Sequence, residues 1–543
     1  MYPGLTRYRP PQTDTYDYIV AGGGSAGCVI AAGLAQDGRF SVLLIEGGRK
    51  DISPWIHITG TFFKALQTQD AKVVSSDPVP GLLGANMPVP QGNVLGGGSS
   101  VNAMCYVRGQ PADYDSWEAD GAEGWNYRNA LAMFKKQETN LRLGDPYHGQ
   151  SGPLIVGDQE FGHPTNRMFI EAAAAAGFKK NDDFNGAQQE GIGFYQVTSS
   201  KGRRRSAAAS FLAPAARKDT LCVAFQTRVE RIGFTGKRAS FVEARDANGV
   251  ARTYRARKEI VLTAGAFNSP KLLMLSGIGP AEHLRQHGID VVADRRGVGA
   301  NYQDHVATQV AIQFKKPIGL HGQDKGLAAL KHGIDYFFFR RGLLTSNIIE
   351  AGGFIDTEGT GRPDIQLNCS AMVAGPPGQG YLPVHGMNIN PYILRPYSRG
   401  RVGLRSRDAK DQVKLEANVL SDSRDVETLR RGVQVARAIF AKSHLFDVTE
   451  VEMIPGPGVS DGRGSNEIDE IIRKNARTVF HPSCTCKIGI DDDSVVDPQL
   501  RVYGVEGLRV ADASVMPTVT SGNTNAPTMM IGGRCVEMML ADA

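Results

Sequence analysis

The chain has 543 residues, 41% apolar and 22% charged, proportions that exclude a disordered or fibrous protein. Sixty-one Lys and Arg against 56 Asp and Glu leave a net charge of +5, interspersed along the chain, so no face for nucleic acid stands out. No run approaches the ~18–20 apolar residues of a membrane helix, and the N-terminus lacks the basic start and apolar stretch of a secretory leader; a cytoplasmic protein without a membrane span is expected.

The first legible elements lie at Asp17–Glu46. Asp17-Tyr18-Ile19-Val20-Ala21 is apolar and β-prone and breaks into Gly22-Gly23-Gly24-Ser25-Ala26-Gly27. A stretch of small, helix-tolerant residues follows, then Ser41-Val42-Leu43-Leu44-Ile45-Glu46. Strand, glycine turn, helix and strand within about 30 residues make a Rossmann unit. Gly22 permits the tight turn, Gly24 lets backbone approach a pyrophosphate, and Gly27 lets helix and strand pack closely. The helix N-terminus offers free N–H groups and partial positive charge to phosphate. Glu46 is placed to accept from ribose hydroxyls, which argues against a 2′-phosphate and hence against NADP. This segment alone does not choose between FAD and NAD.

Four later stretches make that choice. Gly92-Asn93-Val94-Leu95-Gly96-Gly97-Gly98-Ser99-Ser100-Val101-Asn102-Ala103-Met104 is a glycine run with small hydroxyl residues, a backbone able to approach a flat, polar-edged ligand. Thr263-Ala264-Gly265-Ala266-Phe267-Asn268-Ser269-Pro270 and Gly297-Val298-Gly299-Ala300-Asn301-Tyr302-Gln303-Asp304-His305 follow. Last come Val495–Pro498, Val510-Ala511-Asp512-Ala513 and Asn523-Thr524-Asn525-Ala526-Pro527-Thr528. Pro527 suits the first turn of a helix, where its missing N–H costs nothing.

From about Asp17 to Leu540 these stretches, in this order, resemble the glucose-methanol-choline (GMC) oxidoreductases. HPSCTCKIG and VVDPQLRVYGVEGLRV further resemble FAD-linked L-sorbose dehydrogenases and choline-dehydrogenase-like alcohol dehydrogenases. The resemblance implies an α/β, α+β overall, architecture: a Rossmann-type FAD-binding domain with a discontinuous antiparallel-sheet substrate domain. The FAD-binding pieces would be 1–157, 206–302 and 477–543, and the substrate pieces 158–205 and 303–476. It also implies FAD contacts from Gly22, Gly24, Ser25, Ala26, Gly27, Glu46, Val94, Gly97, Ser99, Asn102, Ala103, Met104, Val229, Ala264, Asp512, Ala513, Asn525, Pro527 and Thr528. Ser99–Asn102 has no histidine where some relatives attach flavin covalently, so FAD is expected to be non-covalent.

A histidine taken at random sits on the surface or in a satisfied core. His481 is the exception, because Val479-Phe480-His481-Pro482-Ser483-Cys484-Thr485 matches the segment carrying the family's catalytic base. Asn523 matches the second catalytic position. The implied reaction is oxidation of a primary alcohol to an aldehyde by hydride transfer to flavin N5. His481 accepts the hydroxyl proton and Asn523 hydrogen-bonds the developing alkoxide. The substrate is a small alcohol and the electron acceptor a quinone, another carrier or O2, with likeness favouring a dehydrogenase. An aryl- or furfuryl-alcohol oxidase, or a flavin-containing hydroxynitrile lyase, are the alternatives. No metal is required, and no nucleophile-elbow spacing points to hydrolysis.

Other features carry plainer expectations. Seven unevenly spaced cysteines make no disulfide framework or zinc site and read as buried free thiols. Lys201–Arg205 reads as a solvated loop. Tyr336-Phe337-Phe338-Phe339 reads as core, and Arg401–Ser406 and Val413–Ala417 as strands of the substrate-domain sheet.

Overall fold

Val42–Ile45 has four apolar residues and no polar alternation, the pattern of a strand covered on both faces, and all four are buried. It lies between Thr15–Ala21 and Leu221–Ala224, parallel to both. The sheet continues from Thr15–Ala21 to the long strand Ala251–Leu262, parallel again. Beyond it the first half of that strand pairs antiparallel with Arg238–Arg245, which pairs with Arg228–Thr235. Its last residues, Ile260–Leu262, instead pair in parallel with Leu508–Val510 from near the chain's end. The computed structural model describes residues 3–375, 379–462 and 466–543.

Helix Ser25–Asp37 follows the first strand and ends at Gly38 in the left-handed region. Two glycines at its start are forced by space. Gly22 has φ +119°, and a Cβ on Gly27 would lie 1.9 Å from the Gly22 carbonyl oxygen. The last helix, Asn525–Ala541, packs on this first one, with Gly532 against Ala26 and Val536 against Gly33.

A second sheet is antiparallel throughout its main path. Its strand order is Thr449–Ile454, Val310–Phe314, Gly386–Ile393, Ile365–Ser370, Ala351–Ile355, Gly191–Phe194. The short strand Val306–Ala307 joins it through Tyr392 and through Arg477–Thr478. Helix Ser423–Phe440 is amphipathic and buries Val426, Leu429, Val433, Ala436 and Ile439 with Ile365, Leu367, Cys369 and Ile389 of this sheet. Because side chains alternate along a strand, Gln366 and Asn368 point to the opposite face, with Tyr392 directly across from Gln366. The expected α/β organisation, a Rossmann-type sheet joined to an antiparallel one, is what the structure has.

Three expectations are corrected. Arg401–Gly403 and Lys414–Glu416 pair with each other as a separate ribbon and do not extend the second sheet. In Tyr336–Phe339 only Tyr336 is buried; Phe337, Phe338 and Phe339 are exposed on the helix Gly326–Phe339. Lys201–Arg205 is not wholly solvated, because Arg204 is 1% exposed. The cysteines are as read: all seven are buried and unpaired. Among the described residues no helix is long and apolar enough to cross a membrane.

The crowding at Gly27 makes a stability prediction. Gly27→Ala drives a methyl group into backbone that cannot swing aside, at a cost of about 2–3 kcal/mol, in the upper range for overpacking. A thermal melt of this variant should show a clearly lowered midpoint; a midpoint equal to wild type would contradict the contact.

Candidate active site

The glycine cradle is assembled from distant parts of the chain. The Gly96 amide donates to the Gly23 carbonyl at 2.7 Å, and a Cβ on Gly97 would lie 2.8 Å from Gly24 Cα. Val94 bridges to Arg49, just beyond the second strand. Ser25, the first residue of the first helix, donates its hydroxyl to Asn525 Oδ1 at 2.8 Å, tying together the starts of the first and last helices. Pro527 and Thr528 occupy the first turn of that last helix, and the Thr528 hydroxyl donates to the Thr524 carbonyl. Ala26 and Gly27 are buried behind the turn. Val229 lies two residues beyond Thr227, whose amide donates to the Glu46 carbonyl. Ala264 follows Thr263, which closes over Gly22.

Glu46 and Asp512 hold this assembly internally. Glu46 accepts from the amides of Gly23 at 2.7 Å and Gly48 at 2.6 Å, and burial raises its pKa. Asp512 accepts from the Gly265 amide, the Ser269 hydroxyl and the Ser514 amide, all within 2.8 Å. Next to it, the Ala513 carbonyl accepts from the Cys484 amide.

The loop from Gly96 to Met104 is pinned by a residue that its charge had suggested was solvated. Arg204 donates to the carbonyls of Ile56, Ser99 and Asn102 and to Asn102 Oδ1. Burial lowers its pKa to about 9. Ser99 donates its hydroxyl to the Gly96 carbonyl, Asn347 donates to the Ala103 carbonyl, and Met104 takes φ +62°. The glycine turn, the Gly96–Met104 loop and the starts of the first and last helices are thus joined to one another, while Val229 lies on the strand Arg228–Thr235.

Those residues fit an adenine dinucleotide such as FAD. A Cβ on Gly24 would meet only the Thr263 carbonyl oxygen, at 3.7 Å, so its open side leaves room for close approach. The first helix begins there with no side-chain cap, leaving its N–H groups to an anion.

The predicted catalytic pair is brought together as well. His481 Nε2 lies 3.3 Å from Asn523 Nδ2, and Asn523 Oδ1 accepts from Gln366 Nε2 at 3.2 Å. On the other side of the ring, His481 Nδ1 lies 2.9 Å from His305 Nδ1, and His305 Nε2 lies 3.0 Å from the Leu394 carbonyl oxygen. A carbonyl can only accept, so His305 carries its proton on Nε2 and its Nδ1 accepts. His481 must then donate from Nδ1, which leaves its Nε2 lone pair facing Asn523. The amide of Asn523 donates towards that lone pair, so the chain of bonds is self-consistent. A neutral imidazole held in this tautomer can accept a proton from a hydroxyl placed beside the amide.

The backbone around His481 is equally constrained. Its amide donates to Asp304 Oδ1 at 2.9 Å, the Thr478 and Tyr302 hydroxyls donate to Asp304 Oδ2, and Phe480 is held at φ +68°. Burial raises the Asp304 carboxyl to about 6, lowers His305 to about 4, and takes His481 well below the ordinary value, with His305 adding to the last effect. Sequence reading passed over His305 and Gln366. His305 closes a recognised motif, which was a usable signal, whereas Gln366 reaches the pair only through the second sheet.

Two family models match, GMC oxidoreductase over residues 16–307 and GMC oxidoreductase over residues 396–532. The chain belongs to the GMC oxidoreductase family. The chain is 39% identical over 529 residues to an oxygen-dependent choline dehydrogenase of Brucella ovis, covering 96% of this chain and 95% of that one. It is 38% identical to an alcohol dehydrogenase [acceptor] of Pseudomonas putida, covering 97% and 96%. Among solved structures, the pyridoxine 4-oxidase of Mesorbium loti superposes with a TM-score of 0.88 at 28% identity, covering 97% of this GMC chain and 99% of the other. The family acts on alcohol-type donors, and FAD is the cofactor it implies.

The hydrogen-bond chain generates a measurable expectation. In 15N-histidine NMR spectra His481 and His305 should remain neutral as pH falls through the ordinary histidine value of about 6.5. His481 should carry its proton on Nδ1 and His305 on Nε2. A titration midpoint near 6.5, or the reverse tautomer at His481, would break the scheme.

Proposed function

We propose that this GMC protein binds FAD non-covalently and oxidises a primary alcohol to an aldehyde, as a dehydrogenase that passes electrons to an acceptor other than O2. The observation that carries the reading is the His305–His481–Asn523 chain, which presents an unprotonated Nε2 beside an amide donor. His481 removes the hydroxyl proton. Asn523 hydrogen-bonds the oxygen as it becomes an alkoxide, and its own orientation is held by Gln366. FAD, when bound, supplies the hydride acceptor and the store for two electrons. Holding the carbinol in one orientation beforehand removes much of the entropic part of the barrier.

Non-covalent binding is supported by the loop chemistry. Ser99, Ser100 and Asn102 spend their side-chain oxygens on the Gly96 carbonyl, the Leu95 carbonyl and Arg204, and no histidine stands among them. Likeness to the Pseudomonas putida alcohol dehydrogenase [acceptor] and to sorbose dehydrogenases supports the dehydrogenase reading.

A substrate carrying further hydroxyls, such as a sugar or polyol, fits the polar face of the second sheet. Gln366 Oε1 and Asn368 Oδ1 are buried there with no protein hydrogen-bond partner. Such atoms are costly to leave unmatched and are satisfied by water or by substrate hydroxyls. Asp304 offers no free charge to a quaternary ammonium, since Tyr302, Thr478 and the His481 amide take both its oxygens. An aryl alcohol is the second reading, favoured by the apolar cluster of Phe62, Met104, Val197 and Ile348 beside the Met104 loop.

The test is the visible spectrum of purified protein mixed anaerobically with sugar, aliphatic, benzylic and choline alcohols, then exposed to air. Bleaching by the polyol class with slow recolouring supports the proposal. Rapid recolouring would make the protein an oxidase, and a flavin that no alcohol bleaches would favour a lyase. His481→Ala should retain the yellow chromophore while flavin reduction slows by ~100-fold or more, the usual scale of a lost general base. Near-normal reduction would remove His481 from that role. Because His481 is pushed below its ordinary pKa, the rate of reduction should stay level as pH falls to about 6.5 and decline only below it.

A further inference from the structure

The helix Gly326–Phe339 is built the wrong way round for a globular protein. Leu327 is 84% exposed, Leu330 60%, Ile334 45%, Phe337 61% and Phe338 79%. The spacing of 3, 4, 3 and 1 residues places them on one face of a helix about 21 Å long. The inward face is small or polar instead: Tyr336 donates its hydroxyl to the Gly202 carbonyl, and His332 pairs with Gln323. Scattered exposed apolar residues need no account, but five on one stripe do.

The charges around the stripe are cationic. Lys325, Lys331 and Arg341 are exposed and Arg340 is half-buried, against Asp324 and Asp335, and Asp335 is bonded to Arg341 at 3.0 Å. The guanidinium of Arg341 lies over the Phe339 ring and that of Arg340 over Tyr336, both 4.9 Å from the ring centre, so these two cations stay at the C-terminal end of the helix. Across the Tyr336 contact lies the basic segment Lys201–Arg203, whose Lys201 and Gly202 amides donate to the Glu160 carboxylate, so its two cations outnumber that one anion. Apolar side chains on one stripe with Lys and Arg at its margins match an anionic lipid surface, where the side chains sink to the acyl boundary and the cations meet headgroups. A second copy of the chain matches less well, since a two-fold contact would set like charges against like.

We propose that the helix Gly326–Phe339 docks this protein on the surface of an anionic lipid bilayer. The segments on either side of the helix continue inward. Leu320 before it and Leu343 after it pack on the cluster of Phe62, Met104, Val197 and Ile348, as Ala103 does. Docking through this face would set the bilayer beside the segments that cover this cluster and the Met104 end of the cofactor loop.

The experiment uses purified flavin-loaded protein and sedimentation with sonicated vesicles of phosphatidylcholine containing one-quarter phosphatidylglycerol, beside vesicles of phosphatidylcholine alone. Wild type should pellet with the anionic vesicles, more weakly with the neutral ones, and less as salt rises. The triple variant Leu327→Ser, Phe337→Ser, Phe338→Ser should lose binding by about tenfold or more, because it removes most of the apolar surface that would enter the bilayer. Lys331→Ser with Arg340→Ser should reduce binding to anionic vesicles alone, which keeps the test alive should the triple variant fold poorly. Both variants should turn over a water-soluble alcohol with a water-soluble acceptor at the wild-type rate. Phe338→Trp should show a blue-shifted emission on adding anionic vesicles. Wild type left in the supernatant, or variants that bind as well as wild type, would overturn the proposal. A dimer that the triple variant converts to monomer, with no capture of either by vesicles, would assign the face to a second copy instead.

Discussion

The parallel pairing of Leu508–Val510 with Ile260–Leu262 is the constraint on which the candidate site depends. It brings the end of the chain onto the sheet that the beginning of the chain starts. Once that strand is seated, the Ala511 amide donates to the Leu262 carbonyl, and Asp512 reaches Gly265, Ser269 and Ser514. The last helix then lies along the first, close enough for Ser25 to bond Asn525. Asn523 stands two residues ahead of that contact, so at most about 7 Å of chain separates it from Asn525. His481 is held from the other side by Asp304 and His305. A shift of this one strand by a residue would disturb all of these bonds together.

Within the site, polarity is arranged by elimination. The Leu394 carbonyl can only accept, and from that one fixed role the direction of each subsequent bond follows. Burial then keeps both imidazoles uncharged, so no neighbouring carboxylate is needed to set the tautomer. Asp304 is bonded to the His481 backbone and leaves the ring alone.

Much of this was legible in the chain before any coordinates. The glycine turn announces itself because the chemistry of close approach admits only glycine, and a Cβ at Gly27 or Gly22 has nowhere to go. His481 and Asn523 stand in short motifs whose neighbours are also constrained. Less local features were misread. Arg204 sits in a basic run, and charge density alone predicts solvent; its burial follows from three carbonyls and one amide oxygen supplied by residues about 100 or more positions away. Tyr336–Phe339 has the composition of a core, and no pattern within four residues reveals that the helix turns three of them outward. The ribbon 401–416 alternates as any strand does, and alternation does not say which sheet a strand joins.

The dispersal of the cofactor loops also has a consequence for how the molecule comes into being. The cradle needs Gly22–Gly27 from the start of the chain, and Asp512 and Asn525 from its last tenth. During synthesis the early strands leave the ribosome long before their final partners exist, so their edges and the first helix's apolar side stay uncovered for most of translation. Long-range pairings of this kind are slow to form. The apolar surfaces that the last helix covers therefore stay open until that helix emerges, and a product cut short before Asp512 lacks the bonds that close the cradle.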